Sequence, residues 1–156
     1  MKKKTEAEGL VCMNRKASFR FEVLEKFECG LMLHGSEVKS LRERGLSLDE
    51  AYARIENDEA WLIGCHISAY SHARSHVHEP LRRRKLLLHA REIRKLRPKV
   101  EQKGLTLVPL KVYFNERGLA KVTLALARGK TLGDKRHTLR DREARREMDR
   151  SVKRRG

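Results

Sequence analysis

Aromatic residues are scarce in this chain: Phe, Tyr and Trp make up 5% of it, and Trp61 is the one tryptophan. A platform that stacks successive bases of a single strand needs more rings than this. Cysteine is also rare. Cys12, Cys29 and Cys65 form no CxxC and leave an odd count, which excludes a disulfide frame and a cysteine zinc site and points to reduced thiols. Long apolar runs are missing as well. The longest uncharged stretch, Ala60 to Ala73, is about 14 residues and contains His66, Ser68, Ser71 and His72, whereas a spanning helix needs about 20 apolar residues. Met1 to Lys4 begins with lysines, but Thr5 to Gly9 is polar and acidic, unlike the apolar centre of a signal peptide. A cytoplasmic protein that does not enter the membrane is the expectation.

Positive charge is what the chain has in excess. It carries 37 Lys+Arg against 21 Asp+Glu, a formal net charge of +16. Such a surplus points to a polyanion, and nucleic acid first among them. With 39% hydrophobic residues the chain still buries a core, so it is no disordered basic arm. The charge is uneven: residues 128–156 hold 12 Lys/Arg against 5 Asp/Glu. In that tail Ala144, Met148 and Val152 fall at i, i+4 and i+8, a thin apolar stripe on one helix face. Thr138 and Asp141 have capping-box spacing. The spacing predicts a helix that buries too little to be secure alone and orders on a partner.

The preceding residues read as a compact body rich in short strands. Phe19 to Leu24 alternates as a strand, Cys29-Gly30 reads as a turn, and Leu31 to His34 as a second strand. Ser36 to Arg44 suits a short helix ended by Gly45, and Ser47-Leu48-Asp49-Glu50 is a capping box for another. Asn57-Asp58 turns between strands at Tyr52–Glu56 and Glu59–Ser68, and Ala69 to Pro80 is a loop. Leu86, Leu87, Ile93 and Leu96 have helical spacing, which predicts a helix from Arg84 to about Arg97, ended by Pro98. Leu105–Phe114 and Leu119–Ala127 read as strands around Asn115 to Gly118. The fold class is mainly β with flanking α: an OB-like antiparallel β-barrel with short helices. The expected division is a flexible N-terminus at 1–13, an RNA-binding body at 14–127 and a basic tail at 128–156, helical when bound.

Most catalytic signals fail on their own terms. Gly129-Lys130-Thr131 ends like a phosphate loop, but its first glycine would fall at Leu124, inside a strand. His72, His76 and His78 share a loop that has Glu79 as its local carboxylate, and the expected reading is surface histidines with no metal. No hydrolase triad or carboxylate pair is visible. Arg82-Arg83-Arg84-Lys85 is a stronger signal: four cations at a helix start oppose the helix dipole, a cost that phosphate contact repays. With few aromatic residues, a folded RNA read by backbone and shape is the fitting partner.

Ordered blocks along the chain then carry a resemblance. Asn14-Arg15-Lys16-Ala17, Glu28-Cys29-Gly30-Leu31 and Gly35-Ser36-Glu37-Val38-Lys39-Ser40-Leu41-Arg42 come first. His66-Ile67-Ser68-Ala69-Tyr70, Arg84-Lys85-Leu86-Leu87-Leu88 and Gly104-Leu105-Thr106-Leu107-Val108-Pro109-Leu110 follow, and Gly129-Lys130 with Asp134-Lys135-Arg136 closes the series. From about Asn14 to Arg150 the chain resembles the SmpB family of bacterial SsrA- or tmRNA-binding proteins. The resemblance implies an OB-like barrel, a non-catalytic RNA-binding role without cofactor, and rescue of stalled ribosomes by trans-translation. It implies that the body binds the tRNA-like domain of tmRNA and delivers alanyl-tmRNA to the empty A site. Elongation factor Tu and alanyl-tRNA synthetase would meet the protein through tmRNA, and the protein would act as a monomer.

By the same resemblance, Asn14, Glu28 and Leu87 match residues associated with tmRNA binding. Arg15, Lys16, Lys39, Arg42, Arg82, Arg83, Arg84 and Lys85 are the cations expected to support them. Glu28 has two open roles: accepting hydrogen bonds from RNA, or organising its turn. Leu87 either touches RNA or packs beneath the surface. Gly129, Lys130, Asp134, Lys135 and Arg136 match the tail motif that would engage the small-subunit decoding region and the vacant mRNA channel. The chain departs from the family at Thr131, usually a second lysine, and at Gly133, usually aromatic or histidine. His137 lies close enough to stand in for the missing ring. The alternative is a ribosomal protein or initiation factor with a basic OB barrel, which would copurify with ribosomal RNA and without tmRNA.

Overall fold

The computed structural model describes residues 9–72 and 77–155. Strand β1 (Leu10–Met13) already belongs to the sheet, so the folded body starts ahead of Asn14, where the sequence places its boundary. The chain then makes a single helical turn, α1 (Ala17–Arg20). The alternation at Phe19 predicts a strand there. Instead Ala17 N–H donates to Asn14 O and Arg20 N–H to Lys16 O, which winds the segment and buries Ala17. Strand β2 (Phe21–Leu31) runs straight through Cys29-Gly30, correcting the expected turn. It is paired on both edges there, and Cys29 is fully buried between them.

Helix α2 (Gly35–Arg42) forms where the sequence predicts one. The capping box at Ser47 does not start a helix. Leu46–Ser47 is strand β3, paired with β6 (His66–Ile67), and Leu48 and Ala51 both turn into the core. Strands β4 (Tyr52–Glu56) and β5 (Glu59–Ile63) make the expected hairpin, with Asn57 and Asp58 both at positive φ as a two-residue turn of this twist requires. Gly64 follows at φ 73°, where a Cβ would come within 2.5 Å of Glu50 O; only glycine fits.

The largest correction concerns residues 84–103. Arg84–Leu87 is strand β7, and the helix, α3, spans Ala90–Lys103. Arg84 and Leu86 are buried while Leu87 is exposed, the two-residue period of a strand with an arginine on its inner side. The helix passes through Pro98 because Leu96 before it and Val100 after it both pack on the core. Proline removes one helical hydrogen bond, a cost of about 3 kcal/mol, comparable to burying one or two leucines at about 1.5–3 kcal/mol each. Gly104, left-handed at φ 63°, stops it.

Strands β8 (Thr106–Phe114) and β9 (Ala120–Gly129) complete the sheet, and α4 (Leu132–Arg155) follows. All strand pairings among the described residues are antiparallel. They run from β8 to β4, β5, β7, β2 and β9 and return to β8, while β1 pairs with β8 at Lys111–Tyr113. Leu62, Leu86, Leu107, Val112, Val122, Leu124 and Leu126 fill the inside, joined by Leu41 from α2 and Leu96 from α3. Among the described residues the architecture is mainly β sheet with four helices.

Burial also fixes the chemistry of the thiols. Desolvation pushes Cys29 and Cys65 up to about 12 and raises Cys12, which is half-buried, above its usual value. Alkylation of the native protein at neutral pH should modify Cys12 slowly and spare the other two. Mass spectrometry before and after urea unfolding checks this; early labelling of Cys65 would contradict the packing.

Candidate nucleic-acid interface

Two rows of side chains cross the outer face of the sheet. Strand pairing aligns Met13 with Lys111, Lys111 with Thr123 and Thr123 with Glu28. The next row aligns Tyr113 with Lys121, Lys121 with Gly30 and Gly30 with Leu87. Paired residues share a face, so Glu28 and Leu87 stand on one surface although they lie far apart along the chain. Leu87 is exposed and lies over Gly30, whose added Cβ would be 3.2 Å from the leucine side chain. Glu28 is exposed and opens onto a groove of about 490 Å³ lined also by Met13, Lys26, Lys111 and Tyr113. It sits mid-strand, so it organises no turn. The face offers lysines for phosphates, a carboxylate that accepts base or ribose donors, and an apolar ledge.

No motif in the sequence marks Lys26, Lys111, Tyr113 or Lys121 as part of this face. The signal was the two-residue alternation: Phe27, Cys29 and Val122 point inward, which turns Lys26, Glu28 and Lys121 outward.

Each member of the four-cation cluster is tied to a carboxylate of the protein itself. Arg84 is fully buried and its Nε donates to the equally buried Glu37 carboxylate; its Nη1 donates to Cys65 O at 2.7 Å and its Nη2 to Pro80 O at 3.1 Å. Arg84 is therefore corrected from an RNA contact to an internal brace. Arg82 Nη2 donates to the other Glu37 oxygen at 2.5 Å. Arg83 pairs with Glu56 and lies over Trp61 at 5.1 Å, and Lys85 pairs with Glu59. Burial pushes the Glu37 carboxyl up, but the His34 amide and the two arginines outweigh it, and its pKa lies below the ordinary 4.5. His78, expected at the surface, is buried, its ring bonded to Ser36 Oγ and Ile67 O. His76 lies outside the described residues. No group of three or more His, Cys, Asp or Glu among the described residues could hold a metal.

Asn14 is half-buried and works within the fold. Its Nδ2 donates to Pro109 O at 3.0 Å and to Leu48 O at 3.4 Å, which ties the start of α1 to β8. Arg15 and Lys16 beside it are exposed, with Lys16 3.7 Å from Asp49. Lys39 and Arg42 lie on α2, over the rings of Tyr70 and Phe114 at 5.6 and 4.8 Å, on a different element from Glu28 and Leu87.

The tail helix starts earlier than its sequence suggests. Thr131 N–H donates to Asp134 Oδ2 and Asp134 N–H to Thr131 Oγ1, a reciprocal cap that moves the start from Thr138 to Thr131. The Thr131 hydroxyl and amide hold the Asp134 carboxyl below its usual range. Thr131, a departure from the family pattern, thus has a local task. Gly133 has room for a side chain, its nearest neighbour being Thr131 Oγ1 at 3.8 Å. Gly129 ends β9, Lys130 turns back to the body, Lys135 is half-exposed and Arg136 is exposed. His137 is exposed and reaches Asp141 at 3.1 Å. Met148 and Val152 are about 70% exposed, so the apolar stripe has no cover among the described residues. No helix among the described residues is long and apolar enough to cross a membrane.

Known proteins resemble this chain along most of its length. The family model described as SmpB protein matches residues 11–154. An SsrA-binding protein of Thermosynechococcus vestitus is 57% identical over 143 residues, 91% of this chain and 93% of that protein. One from Rhodopirellula baltica is 53% identical over 144 residues, 92% of this chain and 82% of that protein. Among solved structures, a chain from work described as "tmRNA-SmpB: a journey to the center of the bacterial ribosome" superposes with a TM-score of 0.65. It is 51% identical and covers 78% of this chain and 85% of its own. Family model, relatives and fold agree, and the chain belongs to the SmpB family.

Proposed function

We propose that the protein is a tmRNA-binding adaptor of trans-translation. Its body binds the tRNA-like domain, it brings alanyl-tmRNA to stalled ribosomes, and α4 occupies the empty mRNA channel near the decoding region. The observation that carries this reading is the division of labour in one chain. A packed body presents Glu28, Leu87 and lysines on one face, and a 24-residue helix leaves it with cations and an apolar stripe uncovered. We read the ring of strands as an OB-like barrel, with the body reaching from β1 to the end of β9. Arg15, Lys16, Lys39, Arg42 and the exposed cations of the 82–85 cluster support phosphate contact from the rim. Elongation factor Tu and alanyl-tRNA synthetase meet the protein through the RNA, in the cytoplasm, and the chain is a monomer.

Sequencing the RNA that copurifies with the full chain tests the reading: tmRNA enrichment supports it, and ribosomal RNA without tmRNA sinks it. The role of Glu28 has its own test. Glu28→Gln keeps size and most hydrogen-bonding capacity but removes the charge. Charge-assisted bonds are about twice as strong as neutral ones, so the affinity for the tRNA-like domain should fall by about fivefold. Titration with the isolated RNA domain, together with a melting curve, measures it. Equal affinity at unchanged melting temperature would remove the carboxylate charge from recognition.

A further inference from the structure

Helix α2 ends in a turn whose residue choice the fold does not require. Arg44 N–H donates to Leu41 O and Gly45 N–H to Ser40 O, both at 2.9 Å, the paired bonds of a Schellman cap. Such a cap holds one residue in the left-handed region, where an L side chain crowds the backbone and glycine is the usual occupant. Here the residue at φ 60° is Arg44. The glycine stands one place later, where a Cβ would come within 2.6 Å of Ser40 Oγ and 3.3 Å of Ser40 O. Close packing accounts for Gly45, and nothing among the described residues calls for an arginine at 44. Its side chain is exposed and has no hydrogen bond or ion pair among the described residues.

The same turn borders a groove of about 340 Å³ lined also by Arg42, Phe114, Asn115, Glu116 and Gly118. Arg42 reaches into it from the last turn of α2. Its guanidinium carbon lies 4.8 Å from the Phe114 ring centroid, and its Nη2 is 3.8 Å from where a Gly118 Cβ would stand. Arg42 has no carboxylate partner among the described residues either, whereas Arg82, Arg83, Arg84 and Lys85 each have one. Glu116 lines the groove as well; it is exposed, forms no ion pair among the described residues, and is followed by the exposed Arg117. Backbone amides here are spent in the hairpin, Gly118 N–H on Asn115 O and Asn115 N–H on Leu119 O. A free phosphate finds two guanidiniums and no amide nest, so the anion that fits is one carried by a polymer held at other points. Such points are near: Phe114 pairs with Ala120, one step along β8 and β9 from the Tyr113–Lys121 pair on the sheet face.

We propose that Arg42 and Arg44 form an anion site at the end of α2 that takes a phosphodiester of an RNA backbone. Guanidinium forks match phosphate oxygens two at a time, and the Phe114 ring holds one fork ready. Left-handed strain at Arg44 then has a reason: glycine would relieve it and would lose the contact. The ligand half of this proposal rests on the reading of the protein as an RNA adaptor; the strain half does not. The tRNA-like domain and ribosomal RNA both present this group, and two arms of one experiment tell them apart.

Full-length parent, Arg44→Gly, Arg42→Gln and the double variant are melted, then titrated across a salt series with the isolated tRNA-like domain and, separately, with ribosomes on short mRNA. Arg44→Gly should raise the melting temperature by about 2–4 °C, because it removes strain and breaks no contact. In the arm that holds the phosphate, the double variant should bind about tenfold more weakly. Its log–log salt slope there should be shallower by about 2, one phosphate contact per arginine. Arg94→Gln removes the same charge from an exposed position of α3 with no partner among the described residues, and should leave the slope within about 0.3. A lower melting temperature for Arg44→Gly overturns the proposal, since the side chain would then serve the fold. Unchanged slopes in both arms, or an equal loss with Arg94→Gln, overturn it too and leave the adaptor reading intact. A parent chain that binds neither RNA sinks the adaptor reading itself.

Discussion

Glu37→Gln should destabilise the folded protein by about 3–5 kcal/mol, because it strands the fully buried Arg84 without its counter-charge. Typical domains have about 5–15 kcal/mol of stability in all, so the variant is expected to lie close to its unfolding threshold at 37 °C. Arg84 is held on several sides: its guanidinium also reaches Cys65 O and Pro80 O, which fastens the approach to β7 onto the body. Replacing both members by methionine should recover part of the loss but not all, since those carbonyls lose their donor. Urea melts of the parent, both single variants and the double variant give the coupling between them. A loss below about 1 kcal/mol for Glu37→Gln would mean that Arg84 is not the buried charge described here.

The same pair sets an acid dependence. The Glu37 pKa is lower in the folded chain than the ordinary 4.5, so the folded state holds fewer protons at this site than the unfolded one. Its stabilising contribution is complete above the ordinary value and disappears as the pH falls through the lower folded value. Parent melts should therefore weaken on acidification in that window, and Glu37→Gln should flatten the dependence there.

Removal of α4 is the second large effect. A chain ending at Gly129 keeps β9 whole, including the pairing of Gly129 with Phe21 and of Arg128 with Glu22. It should fold and bind tmRNA with a modest loss, since the sheet face with Glu28 and Leu87 is untouched. Peptidyl transfer to alanyl-tmRNA on ribosomes with short mRNA should fall by about a hundredfold or more, equivalent to about 2.7 kcal/mol of activation free energy. Met148, Val152 and the arginines around them have no apolar cover among the described residues, and on the reading above the ribosomal channel supplies it. Messenger extended past the P site should compete with α4 and slow the full-length protein. Transfer by the shortened chain within about threefold of the full chain would reduce the helix to an electrostatic accessory.

How legible the molecule is depends on how local the determining physics is. The β4–β5 hairpin follows from Asn57-Asp58, and the β8–β9 pair from the alternation about Val122 and Leu124, because turn chemistry and two-residue periodicity are local signals. The tail helix is legible from its stripe, but its cap reads as Thr138 because Thr131 stands inside the family motif, where its local task is hidden. The 84–87 segment misleads for a different reason. Leu86, Leu87, Ile93 and Leu96 satisfy a helical period, and nothing local says that Arg84 faces Glu37, 47 positions away. The same non-locality hides the joint surface. Glu28 and Leu87 each stand out in the sequence, yet only the pairing of Gly30 with Leu87 brings them onto one face. Asn14 looks like a ligand contact, and its amide is spent largely on Pro109 and Leu48 carbonyls.

The last strand of the sheet is also the one that completes it. β9 pairs with β2 from Phe21 to Gly30 and with β8 from Thr106 to Phe114, so both partners await the final third of the chain during synthesis. A nascent chain that stops short of Ala120 exposes two long hydrogen-bonding edges and the apolar inner side of β2. Incomplete copies of this protein are therefore open, sticky and readily cleaved. A cell that leaves such fragments on its ribosomes loses the supply of the very chain that, on the reading above, would clear them.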